Sequence, residues 1–343
     1  MLFRRFTFLA VIVLLVSSVV FSGVKEERVT RIEFKGMLGM AMKLSGADKP
    51  QKQVNYYEAN QFKSDQFNPK GELQNSTIID LQNEQVVNID HQNKNYTAMT
   101  FDQYRTMLET QMQEMEEETS QQEEESDTEV EYSFDVDVKR TNERETIAGF
   151  PAEKAVITMK VKVDATEQTE EGTTTAGGDL VVTSSQWLTD DLKGYDVVTE
   201  FQTNMAKKLG MDPSKKGMEK IYESMSQSHP ALAEAMKKIQ KEQEELKGVS
   251  VRTETSYKTE NMRSSEEGEQ VTEEEKKQKT PKSVGGLLGA FGKKMADSVM
   301  ESQKSDEKEL FTSTTELTSY EQTSFSPDVF SVPSDYEEIT GNK

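Results

Sequence analysis

The chain has 343 residues, no cysteine and only two histidines. Without cysteine it forms neither disulfides nor thiolate metal sites, and it cannot carry the lipidated N-terminal cysteine of a bacterial lipoprotein. His91 and His229 lie far apart in polar surroundings, so no histidine-rich metal site can be assembled from them. We therefore expect the protein to hold no metal and no cofactor.

Catalytic motifs are also lacking. There is no Gly-x-Ser-x-Gly nucleophile elbow. The glycine-rich run 286–294 departs from a phosphate-binding loop, because Leu287 stands where glycine is required and Lys294 stands where serine or threonine would hold magnesium. The 62 acidic residues are too many for the spacing of any pair to indicate acid–base catalysis. The sequence thus favours a binding protein over an enzyme.

Positive charge is scarce, with 41 basic residues against 62 acidic ones and a net charge of −21. Nucleic acid is a poor partner for such a surface, because its binding begins with the neutralisation of phosphates. Much of the polar excess lies in two low-complexity insertions, 113–131 and 263–282, which we expect to be disordered. A smaller polar loop is predicted over 167–178.

An uncharged apolar run over 6–24 follows two arginines near the start of the chain. The pattern predicts a signal peptide over 1–22, cleaved after Ser22, with a single β-rich domain over 23–343. A retained N-terminal membrane anchor is the alternative. In both cases we expect the acidic bulk to be extracytoplasmic, in the periplasm or elsewhere in the cell envelope.

Alternation of apolar and polar residues recurs in short runs along the chain. The clearest runs are 132–138 and 157–163, and the turn cluster 148–151 between them predicts an antiparallel hairpin. Less strict runs lie at 29–44, 54–62, 78–90, 180–188, 249–257 and 311–320. Together they indicate a large antiparallel sheet with one face toward a core.

Apolar residues at helical spacing predict a few amphipathic helices, over 101–115, 201–209, 232–246 and 285–300. Thr100 is suited to cap the first. The 285–300 helix places Leu288 and Phe291 on its apolar face. It fits a lid over a cavity, a membrane-surface element or an ordinary core helix. The fold class is therefore α+β.

Four blocks of sequence carry a resemblance to a family. They are the strand-turn-strand-helix block 78–101, the Ile-Ala-Gly-Phe hairpin within 146–154, the segment Trp187-Leu188-Thr189, and the closing segment 325–336. In this order they resemble exported bacterial proteins of an uncharacterised DUF family whose architecture is similar to the LolA/LolB lipoprotein carriers. The blocks span most of residues 28–340.

This resemblance implies an antiparallel sheet curled into a half-barrel around helices, with an apolar concave side and no catalytic residues. The ligand it implies is a lipid or another apolar molecule, and peripheral membrane contact is compatible with it. The alternative is a structural or interaction protein whose acidic loops bind basic partners or cations. The candidate cavity residues, of which Met40 and Met42 fall on a predicted strand over 37–42, are Met40, Met42, Phe134, Val136, Ile157, Met159, Trp187, Leu288 and Phe291.

Overall fold

The protein is described by a computed structural model. It covers residues 23–36, 39, 42–43, 48–111, 128–169, 172–210, 233–235, 237–239, 241, 246–264 and 307–339. Candidate residues Met40, Leu288 and Phe291 lie outside this part of the chain, as do the predicted signal peptide and the predicted helix over 285–300.

The described residues form mostly strands, which join into one large open sheet. Its order is β12-β6-β5-β4-β3-β2-β1-β11-β10-β9-β8-β7. Neighbouring strands are antiparallel except β12 and β6, which are parallel. The strands are β1 (Gly23–Phe34), β2 (Gln51–Glu58), β3 (Gln61–Phe67), β4 (Leu73–Asp80), β5 (Gln85–Asp90), β6 (Asn95–Thr100), β7 (Thr128–Ile147), β8 (Phe150–Thr169), β9 (Gly172–Thr189), β10 (Val249–Ser264), β11 (Glu307–Thr323) and β12 (Glu337–Glu338).

The sheet has two halves that meet at β1. Strands β2 to β6 contain six to eight residues each and make the short-stranded half. Strands β7 to β11 contain 16 to 20 residues and make the long-stranded half. Because a strand rises about 3.3 Å per residue, the longest of these extend for roughly 65 Å.

An apolar row crosses the short-stranded half from one strand to the next. Successive register partners are Val24, Tyr57, Phe62, Ile79, Val86 and Met99. We call this the covered row, because two helices pack on it. Helix α1 is described over 101–111, and helix α2 spans Asp196–Lys208.

Both helices bury their apolar side against the covered row. Phe201 of α2 is 2% exposed, with its ring centroid 6.0 Å from that of Tyr57 and 5.6 Å from that of Phe62. Phe101 of α1 is equally buried. The predicted cap of α1 is confirmed, because the Gln103 N–H donates to the Thr100 hydroxyl and Gln103 Oε1 accepts the Thr100 N–H.

The opposite face of the short-stranded half is covered by the C-terminal segment, residues 324–339. Its 3-10 turn, Pro327–Phe330, places Phe330 against Ile78 and Ile89. Beyond this turn, β12 pairs with the first residues of β6. The segment thus covers one face of the short-stranded half and part of its outer edge.

The predicted hairpin is confirmed. Strands β7 and β8 pair antiparallel on either side of the two-residue turn Ala148-Gly149. Both turn residues have positive φ, at 51° and 87°, as a type I′ turn requires. This turn matches the right-handed twist of the strands, so it fixes their register.

The strand predicted over 37–42 is wrong at the two positions that the structure describes, Gly39 and Met42, which are helical; the other four positions lie outside the described residues. Strand β1 ends at Phe34. Gly36 has a φ of 62°, a backbone conformation that interrupts a strand. The Met-, Leu- and Ala-rich composition that follows favours helix.

The predicted polar loop over 167–178 is also wrong, because β8 continues to Thr169 and β9 starts at Gly172. Threonine-rich sequence favours strands. Strand β7 likewise begins at Thr128, inside the predicted insertion 113–131, and β10 extends to Ser264, inside the second insertion. The remainders of both insertions lie outside the described residues.

Candidate ligand-binding face

A second apolar row crosses the long-stranded half and its junction with β1. Successive register partners are Phe34, Phe311, Tyr257, Val182, Met159 and Val136. Phe34 and Val24 lie ten residues apart on β1, which pairs without a break with β2 over 23–30 and with β11 over 28–34. The register shift between Glu27 and Arg28 comes from one extra residue on β11, Thr318, so both rows lie on one face of the sheet. We call this second row the open row.

The open row is less buried than the covered row. In the open row Val136 is buried and the other five members are half-buried, whereas in the covered row Val24, Tyr57 and Val86 are buried and the other three members are half-buried. The rings of Tyr257 and Phe311 stack with their centroids 4.2 Å apart, and the Phe34 ring lies 5.7 Å from that of Phe311. One end of the row is therefore aromatic and the other aliphatic.

The rows on either side add further apolar surface at the β7–β8 end. Phe134 is paired with Val161, and Val138 is paired with Ile157. Toward the middle of the sheet, Ser184 and Thr255 occupy the same face as Ile157, with their hydroxyl oxygens 3.4 Å apart. The apolar surface is thus bordered by small polar side chains.

The dimensions of the open row suit an extended apolar chain. It crosses six strands, so five inter-strand spacings of about 4.8 Å give a length of about 24 Å. An acyl chain that fills one leaflet reaches about 15 Å, half of a hydrocarbon core of about 30 Å.

Four of the predicted cavity residues come together on this face. They are Phe134, Val136, Ile157 and Met159. Met42 is described as a half-buried helical residue after β1.

Trp187 is not part of the same face. It is paired with Lys154, which lies at an even position of β8, whereas Ile157 and Met159 lie at odd positions. Adjacent strand residues point to opposite faces, so Trp187 points away from the open row. Its ring lies between Lys154 Nζ at 5.2 Å and Arg252 Cζ at 5.1 Å, and it packs in a buried cluster with Ile147 and Leu192.

A chain of side-chain hydrogen bonds lies under the C-terminal segment, and no sequence pattern predicted it. The Ser76 hydroxyl donates to Asp65, which also pairs with Lys63 at 3.1 Å. The Ser76 oxygen therefore accepts from His91 Nε2, at 2.7 Å. This leaves His91 Nδ1 to accept from the Tyr336 hydroxyl, at 2.9 Å.

This order differs from a nucleophile–histidine–acid relay, in which histidine lies between the other two groups. Here Ser76 occupies the middle and is 1% exposed. Partial burial lowers the pKa of His91 below its ordinary value of 6.5, and Lys63 acts in the same direction while Asp65 opposes it. Because Tyr336 is 245 residues away, no local pattern indicates this contact.

Two concavities lie away from the open row. One of about 400 Å³ separates His91 and Lys63 from the 3-10 turn, and another of about 500 Å³ lies along the outer side of α2. In the described ranges, no cluster of three acidic or histidine side chains is arranged to hold a metal ion. None of the helices described is both long and apolar enough to cross a membrane.

Comparison of the chain with protein-family models, curated proteins and solved structures finds no match.

Proposed function

We propose that this protein binds an apolar ligand along the open row, and that a lipid acyl chain is the ligand that fits it. The observation that supports the proposal is the difference between the two rows. Helices α1 and α2 pack on the covered row, where three of the six members are buried, whereas one of the six members of the open row is buried and five are half-buried. Burial of apolar surface contributes about 25 cal/mol per Å², so such a row offers a ligand substantial free energy.

The proposal includes the half-barrel shape that the family resemblance implies for the sheet. Sheets twist with a fixed hand, and a curl of the long-stranded half toward the side of α2 would make the open row its concave side. It also includes an extracytoplasmic location after cleavage at Ser22, for which the uncharged run over 6–24 is the support. A carrier of this kind needs no catalytic group.

A charge placed in the open row tests the proposal. In Met159→Asp the new carboxylate faces the apolar row, and in the matched control Thr158→Asp it faces the other side of the same strand. Binding of the neutral dye Nile red to the mature chain, followed by fluorescence, should weaken about tenfold or more in Met159→Asp, because burying an unpaired charge is costly. Equal weakening in both variants contradicts the proposal.

Phe134→Asp extends this test to the β7 end of the face. We expect it to lose the dye, because Phe134 lies beside Val136 on the apolar side of the hairpin. A folded Phe134→Asp protein that keeps full dye binding contradicts the assignment of this face. Circular dichroism before titration establishes that the variant is folded.

Deletion of residues 113–127 separates the proposal from the alternative that acidic loops carry the function. A ligand held on the open row should be retained by the shortened chain, because none of the row's six residues is in the deleted segment. Loss of dye binding with an intact fold would favour the acidic-loop alternative.

A further inference from the structure

Strand β7 is the last strand of the sheet. It pairs with β8 on one side, and no strand of the described ranges pairs with its other side. Its register shifts between Arg140 and Arg144, but the stretch from Thr128 to Arg140 is regular and β7 contains no proline. Natural sheets usually protect such edges with prolines, bulges or short strands.

The turn determines which peptide groups of β7 point outward. Ile147 and Phe150 flank a two-residue turn and therefore exchange both backbone hydrogen bonds. Even-numbered residues of β8 consequently direct their peptide groups toward β7. Their partners include Asp135 and Asp137, so the N–H and C=O groups of Phe134, Val136 and Val138 point away from β8.

The two sides of this edge differ in polarity. On one side Asp135 and Asp137 are exposed, with side chains 83% and 53% accessible, and Asp137 pairs with Lys139 of the same strand at 2.7 Å. Lys160 is opposite Asp135 but pairs with Asp179, at 2.8 Å, and Lys238 approaches Asp135 only to 3.8 Å. On the other side lie Phe134, Val136 and Val138.

We propose that the β7 edge binds an extended segment of a partner protein, which adds to the sheet as a further strand. Its peptide groups would bond those of Phe134, Val136 and Val138, as in β-strand addition. Opposite Asp135 and Asp137 the partner would place lysine or arginine, and apolar residues would alternate with them. This proposal is independent of the ligand on the open row.

A second copy of the chain fits this edge less well. Like charges opposite each other destabilise strand pairing, and β7 carries Glu129, Glu131, Asp135 and Asp137 before its first basic residue, Lys139. Two chains of net charge −21 also repel one another. The partner is therefore a different, basic chain.

A short peptide that alternates lysine and valine serves as the probe. Peptides of the same length that alternate glutamate and valine, or that place lysines and valines in separate blocks, are the controls. Hydrogen exchange followed by NMR should show new protection at Phe134, Val136 and Val138 with the first peptide alone. Protection that is absent there, or equal with the block peptide, overturns the proposal.

The double variant Asp135→Lys, Asp137→Lys tests the charge requirement. It should lower affinity for the lysine peptide about tenfold and raise affinity for the glutamate peptide. Glu254→Lys is a charge control on β10, three strands away and exposed. If Glu254→Lys lowers affinity as much per charge as the double variant, attraction to the acidic chain as a whole explains binding and the proposal fails.

Val138→Pro tests the backbone requirement. It removes an outward N–H while the backbone hydrogen bonds between β7 and β8 remain, since proline is tolerated at such edge positions. Peptide binding should be lost without unfolding. Retained binding and retained protection of Phe134 and Val136 would overturn the proposal, and the charge variants test it separately if this variant does not fold.

Discussion

At the scale of single residues, hydrogen-bond direction determines what His91 can do. Ser76 gives its proton to Asp65, so only neutral His91 can both donate to Ser76 and accept from Tyr336. Protonation places a second N–H opposite the tyrosine hydroxyl. The link between the β5–β6 turn and the C-terminal segment is therefore strongest when His91 is neutral.

This arrangement makes stability depend on pH. The pKa of His91 is lower in the folded protein than its ordinary 6.5, so the unfolded chain binds the proton more readily. The contribution of His91 to the free energy of unfolding is fully present above pH 6.5 and is lost as the pH falls through the folded pKa. Urea unfolding at pH 7.5 and pH 5.5 should show this fall, and His91→Gln should remove its part of it.

Tyr336→Phe offers a separate check. At pH 7.5 it should cost about 1 kcal/mol of unfolding free energy, because His91 Nδ1 loses its donor. It should also reduce the additional loss on acidification. An unchanged pH dependence in both variants would show that other groups titrate in this range.

At the scale of elements, the β7–β8 hairpin was predictable because its alternation is strict and its turn is short. The strand predicted over 37–42 was wrong at Gly39 and Met42, the two positions described there, because alternating methionines imitate a strand pattern in a sequence whose residues favour helix. The loop predicted over 167–178 was wrong because threonine and glycine are polar or small, yet fit long paired strands. Polarity alone therefore did not locate the ends of the strands.

The hairpin turn supplies a stability prediction. Ala148 has a φ of 51°, which costs an L-residue energy that asparagine tolerates better. Ala148→Asn should raise the unfolding free energy by about 0.5 kcal/mol, whereas Gly149→Ala, at a φ of 87°, should lower it by about 1 kcal/mol. Urea unfolding of both variants checks the sign, and a reversed order would contradict the type I′ assignment.

A second prediction about the free energy of unfolding concerns helix α2. Phe201 is 2% exposed between Tyr57 and Phe62. Phe201→Ala should cost about 3–5 kcal/mol, because it removes apolar contacts and leaves a cavity. In the matched control Gln202→Ala an exposed neighbour is changed, which should cost under about 0.5 kcal/mol. Thermal or urea unfolding distinguishes them.

At the scale of the whole molecule, two apolar rows lie on one face of a single sheet, and helices α1 and α2 pack on only one of them. The sequence indicated which side chains of β7 and β8 share a face, but not that Phe34 and Phe311 continue the same row. Those two residues are partners across 277 positions. Their register depends on the whole sheet, which no local pattern encodes. For the same reason the position of Trp187 on the opposite face could not be inferred.

The most direct test of ligand binding along the open row is mass spectrometry of organic extracts. The chain 23–343 would be purified without detergent after export to a bacterial periplasm, alongside Met159→Asp and Thr158→Asp. We expect a lipid in stoichiometric amount with the unchanged protein and with Thr158→Asp, and its loss from Met159→Asp. A folded, lipid-free protein, or equal lipid in all three, would contradict the account.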